Sequence, residues 1–198
     1  MNHGIATRIV RPSECILGFG IPTSETCFRQ DLGRHDKDFA KRFELWTRYR
    51  SEFVSDLNTV GPQMSALGVQ VVHELTVGRF GALVNAATVF ILFSHWNGEA
   101  VEFADGLQST TTVAQVIPTD YAGILDLCVC RSESLASKVR STRPKCLVRH
   151  VVGTEITPSY WLFFMLVLFK VLQNQPMSYL DGVERVVKEF LSGGRRRK

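Results

Sequence analysis

No stretch of this sequence reaches the roughly 20 consecutive apolar residues that a membrane-crossing helix needs. The most apolar window, YWLFFMLVLFKVL at 160–172, contains Lys170 and reads as a buried core helix. No positively charged start followed by an apolar run marks a secretory signal. The five cysteines, Cys15, Cys27, Cys128, Cys130 and Cys146, are an odd set without regular spacing. They spell no disulfide framework, and the expected location is the reducing cytoplasm, with free thiols. Glycine-rich phosphate loops are missing too. LGFGIPTSE has two glycines but neither the G-x-G-x-x-G nor the P-loop continuation, which removes the motif-based case for a nucleotide ligand. Net charge is nearly absent from the body of the chain. The formal net charge is +4, and Arg195, Arg196, Arg197 and Lys198 contribute four positives, so the rest is near neutral. Nucleic acid is therefore not an expected direct partner, because it would call for a basic face within the fold. The sequence shows no internal repeat. Residues 1–192 read as a single domain and 193–198 as a basic flexible tail.

What is present is a chain of 198 residues, 45% hydrophobic and 21% charged, long enough for one sizeable core. ECILGFGI at 14–21 reads as a first strand buried on both faces. From Asp36 to Asn58, Phe39, Phe43, Trp46, Phe53 and Leu57 recur at helical spacing, and NTVGP is expected to end that helix. GVQVVHEL at 68–75 reads as a strand, RFGALVNAA as a short helix, and TVFILFS at 88–94 as the strongest strand in the chain. NGEAVEFADG suggests a small hairpin, YAGILDLCVC at 121–130 another strand, and SESLASKVR a helix capped by Ser132 or Ser134. KCLVRHVV at 145–152 is a last strand. Two helices follow, one opened by Pro158 and one ended by Gly193 and Gly194. Apolar strands alternating with helices predict an α/β fold: a mostly parallel central sheet with helices on both faces.

In such a sheet, chemistry gathers beyond the carboxyl ends of the strands. His95 ends one strong strand, and Cys128 and Cys130 end the next. If those strands are neighbours, an imidazole faces a thiol. That pairing suits nucleophilic catalysis, since a thiolate attacks and the imidazole takes and returns the proton. A competing use of the thiols is metal binding. Cys128, Cys130, Cys146 and His150 are an acceptable zinc set by chemistry, but C-x-C and C-x-x-x-H inside strands lack the turns that present structural ligands, and no metal is expected. Cys146, His150 and His73 read as core residues.

FILFSHW, the hairpin EAVEFADG, GILDLCVCRS, a helix and KCLVRHVV followed by a long helix resemble, in order and element type, the caspase-like cysteine peptidases and their CHAT-type domains. The similarity spans roughly 88 to 190, and DLC at 126–128 looks like the DSC run of metacaspases. The resemblance implies a caspase-like three-layer sandwich and an endopeptidase with His95 as base and Cys128 as nucleophile, Cys130 being the alternative nucleophile on the same strand face. It also implies that Asp126 holds a basic substrate side chain, the other reading being an ordinary hydrogen-bonded aspartate. Family members carry glycine directly after the histidine. Here Trp96 stands there, followed by Asn97 and Gly98, so the oxyanion hole is expected from backbone N–H groups of Trp96, Asn97, Gly98 and Cys128. The chemistry requires no cofactor. Its partners would be a protein or peptide substrate and an activating protein, as in bacterial immunity or cell-death pathways. A non-catalytic interaction scaffold of the same fold is the second reading.

Overall fold

The computed structural model describes residues 3–31, 46–151 and 156–193. The first strand, β1 (Cys15–Phe19), is followed by β2 (Gln70–Val72) and β3 (Val89–Phe93). A separate antiparallel hairpin of β4 (Ala100–Phe103) and β5 (Gly106–Ser109) comes next, then β6 (Ile124–Cys128) and β7 (Leu147–His150). The five longer-range strands form one parallel sheet in the order β2-β1-β3-β6-β7. The helices are α1 (His3–Thr7), α2 (Glu25–Asp31), α3 (Trp46–Ala66), α4 (Val77–Val84), α5 (Thr110–Val116), α6 (Glu133–Thr142), α7 (Pro158–Asn174) and α8 (Tyr179–Gly193). Within α3 the residues Arg50–Val54 form a π-helical turn, and the backbone stays helical on both sides of it.

Every residue of β1, β3 and β6 is buried, because a parallel sheet with crossover helices has no wet face. The two-residue strand period divides them between two cores. Leu17, Phe19, Ile91, Phe93, Ile124 and Cys128 pack under α3, α7 and α8. Ile16, Phe90, Leu92, Leu125 and Leu127 pack under α4, α5 and α6. The first core is rich in aromatic contacts: Phe93 lies 5.1 Å from Phe19 and 5.7 Å from Phe53, ring centre to ring centre. Each such ring removed from water contributes about 1.5–3 kcal/mol. The expected architecture, a mostly parallel sheet with helices on both faces, is the observed one.

Two local expectations are corrected, and one helix is added to those expected. NTVGP does not end a helix: α3 continues through Gly61 and Pro62 to Ala66. Pro62 removes only the N–H that would bond to the Asn58 carbonyl, and the burial of Leu57, Val60 and Met64 along the inner face holds the helix across that loss. Ser132 stands at the N-cap of α6 with φ −85° and ψ 18°, outside the extended conformation that aims a cap hydroxyl at the first turn, and makes no cap bond. The helix α5 has no counterpart in the sequence reading. Its β-branched run Thr110–Thr112 obscures it, while Ser109 caps it by accepting from the Thr112 N–H at 3.1 Å. The early part of the expected 36–58 helix and most of the basic tail lie outside the described residues.

Candidate functional site at the carboxyl edge of the sheet

The central strands β3 and β6 are hydrogen-bonded neighbours, with Phe93 opposite Cys128. One more bond extends the ladder, from the Ser94 N–H to the Cys128 carbonyl at 3.4 Å. Beyond it the two chains leave the sheet, one toward half-buried His95 and the other toward half-buried Cys130. Phe93 and Cys128 share a level as the last pair of the ladder, and His95 and Cys130 each lie two residues beyond it. The side chains of Phe93 and Cys128 at the strand ends both face α7 and α8.

The hairpin fixes the backbone of His95. Its carbonyl accepts the Glu102 N–H at 3.0 Å, and the Ser94 hydroxyl donates to the Glu102 carbonyl. The end of β1 joins the same junction through Gly20, whose N–H donates to the Phe93 carbonyl at 2.9 Å. A Cβ at Gly20 would overlap the Glu102 carbonyl oxygen, so glycine is required there by this close approach. Between His95 and β4, Asn97 builds a tight turn. Its side-chain oxygen accepts from the N–H groups of Glu99 and Ala100 at 3.0 and 2.8 Å, and Gly98 adopts φ +101°. The Asn97 N–H donates to the Ala100 carbonyl at 3.2 Å, which commits this expected oxyanion donor to the turn. Trp96 pairs with Val101 as an isolated bridge and packs against the core on the α4–α6 side.

Cys128 and Asp126 occupy positions different from those the sequence suggests. The Cys128 side chain is 2% exposed, and burial, followed by the nearby Asp126 charge, pushes its thiol well above the ordinary value of 9.0. An activated nucleophile needs the opposite shift. Asp126 is fully buried, with its carboxylate oxygens 2.6 and 2.8 Å from Nη1 of Arg149 and one of them 2.5 Å from the Tyr179 hydroxyl. It therefore presents nothing to a substrate, and the hydrogen-bonded aspartate is the reading that fits. The Arg149 guanidinium lies beside two aromatic rings, 5.9 Å from the centre of Trp161 and 6.0 Å from that of Phe164.

Cys130 sits on the turn that follows β6, next to Arg131 with φ +53°. Its sulfur lies 3.9 Å from the Ile156 carbonyl oxygen. Two residues later Ser132 is completely buried, and its hydroxyl has no hydrogen-bond partner. The imagined zinc set does not converge: Cys146 belongs to the core on the α4–α6 side of the sheet, whereas Cys128 faces the other side. His150 is half-buried on the edge strand, its Nδ1 3.0 Å from Arg140. It is not the core residue expected, because β7 has no neighbour beyond it among the described residues. His73, also read as core, is exposed just past the end of β2, where its ring lies 6.0 Å from Phe19.

No protein-family model matches this sequence, and no curated protein matches it. No helix among the described residues is long and apolar enough to cross a membrane.

The residues that sequence reasoning missed are Ser94, Glu102, Arg149 and Tyr179. Ser94 acts through its hydroxyl and Glu102 through its backbone, and the two meet only where the hairpin folds back. Arg149 and Tyr179 become partners of Asp126 only because the register places Arg149 opposite Asp126 and α8 returns over the sheet. Nothing local in the sequence encodes either meeting.

Proposed function

We propose that this protein is a caspase-like cysteine endopeptidase whose dyad is His95 and Cys130. The observation that supports the reading is the pairing of β3 with β6, which ends with Phe93 opposite Cys128, His95 and Cys130 each following two residues beyond. Cys130 is the more accessible of the two thiols at that edge. The His95 imidazole takes the Cys130 proton, and the sulfur attacks the peptide carbonyl to give a tetrahedral oxyanion. Collapse of that intermediate expels the amine, which receives the proton from the imidazolium, and leaves a thioester. Water, deprotonated by the same imidazole, then releases the carboxylate and restores the thiol. Backbone N–H groups at the β6 turn and at Trp96 and Gly98 would hold the oxyanion, without Asn97. The chemistry needs no cofactor. Substrates are proteins or peptides, with activation by a protein partner, as in bacterial immunity or cell death, as a further part of the proposal. The preference for basic residues loses its basis with the burial of Asp126.

The test is hydrolysis of a pooled fluorogenic peptide library by wild type, Cys130→Ala, Cys128→Ala and His95→Ala. Activity is expected to fall at least about a hundredfold in Cys130→Ala and His95→Ala. Cys128→Ala should retain it. Loss in Cys128→Ala alone would return the nucleophile to Cys128.

A second reading, a non-catalytic scaffold of the same fold, is favoured by Trp96 and by the commitment of the Asn97 N–H to its own turn. It predicts an uncut library together with Cys130 no more reactive toward iodoacetamide than a free peptide thiol.

A further inference from the structure

The turn that leads from β6 into α6 is held at a local cost in consecutive residues. Arg131 adopts φ +53°, one of two residues other than glycine in the left-handed region among the described residues, where a side chain with a Cβ is disfavoured. Ser132 is completely buried, and its hydroxyl has no hydrogen-bond partner among the described residues, so it has given up water without replacement. Just before them the Cys130 thiol is tied down, donating to the Ile156 carbonyl oxygen with its sulfur 3.9 Å away.

A less strained arrangement of the same residues is within reach. Serine is among the best N-caps, and two other helices of this chain show the capped geometry. Thr76, at φ −83° and ψ 158°, accepts the Arg79 N–H, and Ser109, at φ −63° and ψ 154°, accepts the Thr112 N–H. Ser132 has nearly the φ of Thr76, −85°, and differs from it in ψ, 18°. Rotation about that one bond, compensated by Arg131 leaving the left-handed region, brings the hydroxyl to the Leu135 N–H and ends both costs. It also swings Cys130 away from Ile156. A thiol that donates to a carbonyl keeps its proton, so the uncapped form holds Cys130 in its less nucleophilic state.

We propose that the β6–α6 turn is a two-state switch: in the observed form Ser132 is uncapped and Cys130 is held at Ile156, and in the other Ser132 caps α6 and Cys130 is released. Its bearing on catalysis rests on Cys130 being the nucleophile, whereas the switch itself does not. The experiment is the iodoacetamide labelling rate of Cys130 in the native full chain, read by peptide mass spectrometry, beside the melting temperature and cleavage of the pooled peptide library. Ser132→Ala removes the unpartnered hydroxyl from the observed form and the cap from the other, so labelling is expected to slow at least about fivefold while the melting temperature rises. Ser132→Asp supplies a strong cap and a carboxylate that the buried position disfavours, and is expected to speed labelling at least about fivefold. Arg131→Gly is expected to label at least about threefold more slowly than Arg131→Ala, which loses the same charge but keeps the penalty on positive φ. That pair tests the switch even where a Ser132 variant misfolds. Labelling and cleavage that rise and fall together support both the switch and the nucleophile; the expected labelling shifts in a chain that cuts nothing keep the switch and overturn the peptidase reading. A lower melting temperature in Ser132→Ala with labelling unchanged, as for an ordinary lost cap, would overturn the switch, and so would equal labelling of Arg131→Gly and Arg131→Ala.

Discussion

A thiol's reactivity follows what surrounds its sulfur, and Cys128 and Cys130 stand two residues apart in opposite surroundings. Cys128 lies in the aromatic core beside the Asp126 carboxylate; Cys130 is half-exposed on a turn. Brief iodoacetamide treatment of the native protein should label Cys130 at least about tenfold faster than Cys128, read by peptide mass spectrometry, with the difference erased in denaturant. Equal labelling of the native protein would contradict this burial. Asp126 supports a second prediction. Removing one partner of a buried pair strands the other charge, so Asp126→Ala should cost about 3–5 kcal/mol in urea unfolding, and appreciably less in an Arg149→Met background. Strand alternation makes the shared face of Asp126 and Cys128 legible in the sequence. Which cation would meet the carboxylate was not legible, because Arg149 is 23 residues away and its strand partner is settled only by the sheet register.

At the level of elements, apolar runs such as Val89–Phe93 and Ile124–Cys128 are recognised by being short as well as apolar, whereas the equally apolar run of α7 is long enough for a helix. Breakers were less informative. Gly61 and Pro62 look like a stop, yet Pro62 is exposed on the outer face of α3 while Leu57, Val60 and Met64 are pinned beneath. Tertiary burial outweighed local propensity there. Pro62→Ala restores an N–H toward the Asn58 carbonyl and should raise unfolding stability by about 1–2 kcal/mol, part of the helical gain being offset by a looser unfolded chain. A loss of stability on chemical denaturation would mean that the proline is wanted for the shape of this turn.

The whole molecule titrates from both sides. Burial, followed by the nearby Asp126 charge, pushes the Cys128 thiol and the Tyr179 hydroxyl up, and burial likewise raises the thiol of Cys146 to about 12. Unfolded thiols ionise near 9.0 while the folded ones keep their protons, so stability should fall as pH rises past about 9. At the acid end, burial holds the imidazoles of His73 and His150 below their ordinary 6.5. The unfolded chain takes those protons first, and stability should fall as pH drops below that value. A melting-temperature profile is expected to show a plateau between the two limits, with His73→Gln flattening the acid limb. An acid limb unchanged in both His73→Gln and His150→Gln would assign it to carboxylates. The α/β class was readable from sequence alone; the strand order was not, because β1 joins two strands, β2 and β3, whose sequence positions give no sign of their order.

The two cores also mature at different moments as the chain is made. The one under α4, α5 and α6 is complete once β7 has formed, but the other, holding Phe19, Phe53 and Phe93, waits for Trp161, Phe169 and Val186 from the last two helices. A ribosome-bound chain thus carries an uncovered aromatic sheet face through most of its synthesis. Fragments truncated before Pro158 should depend on chaperones and aggregate without them.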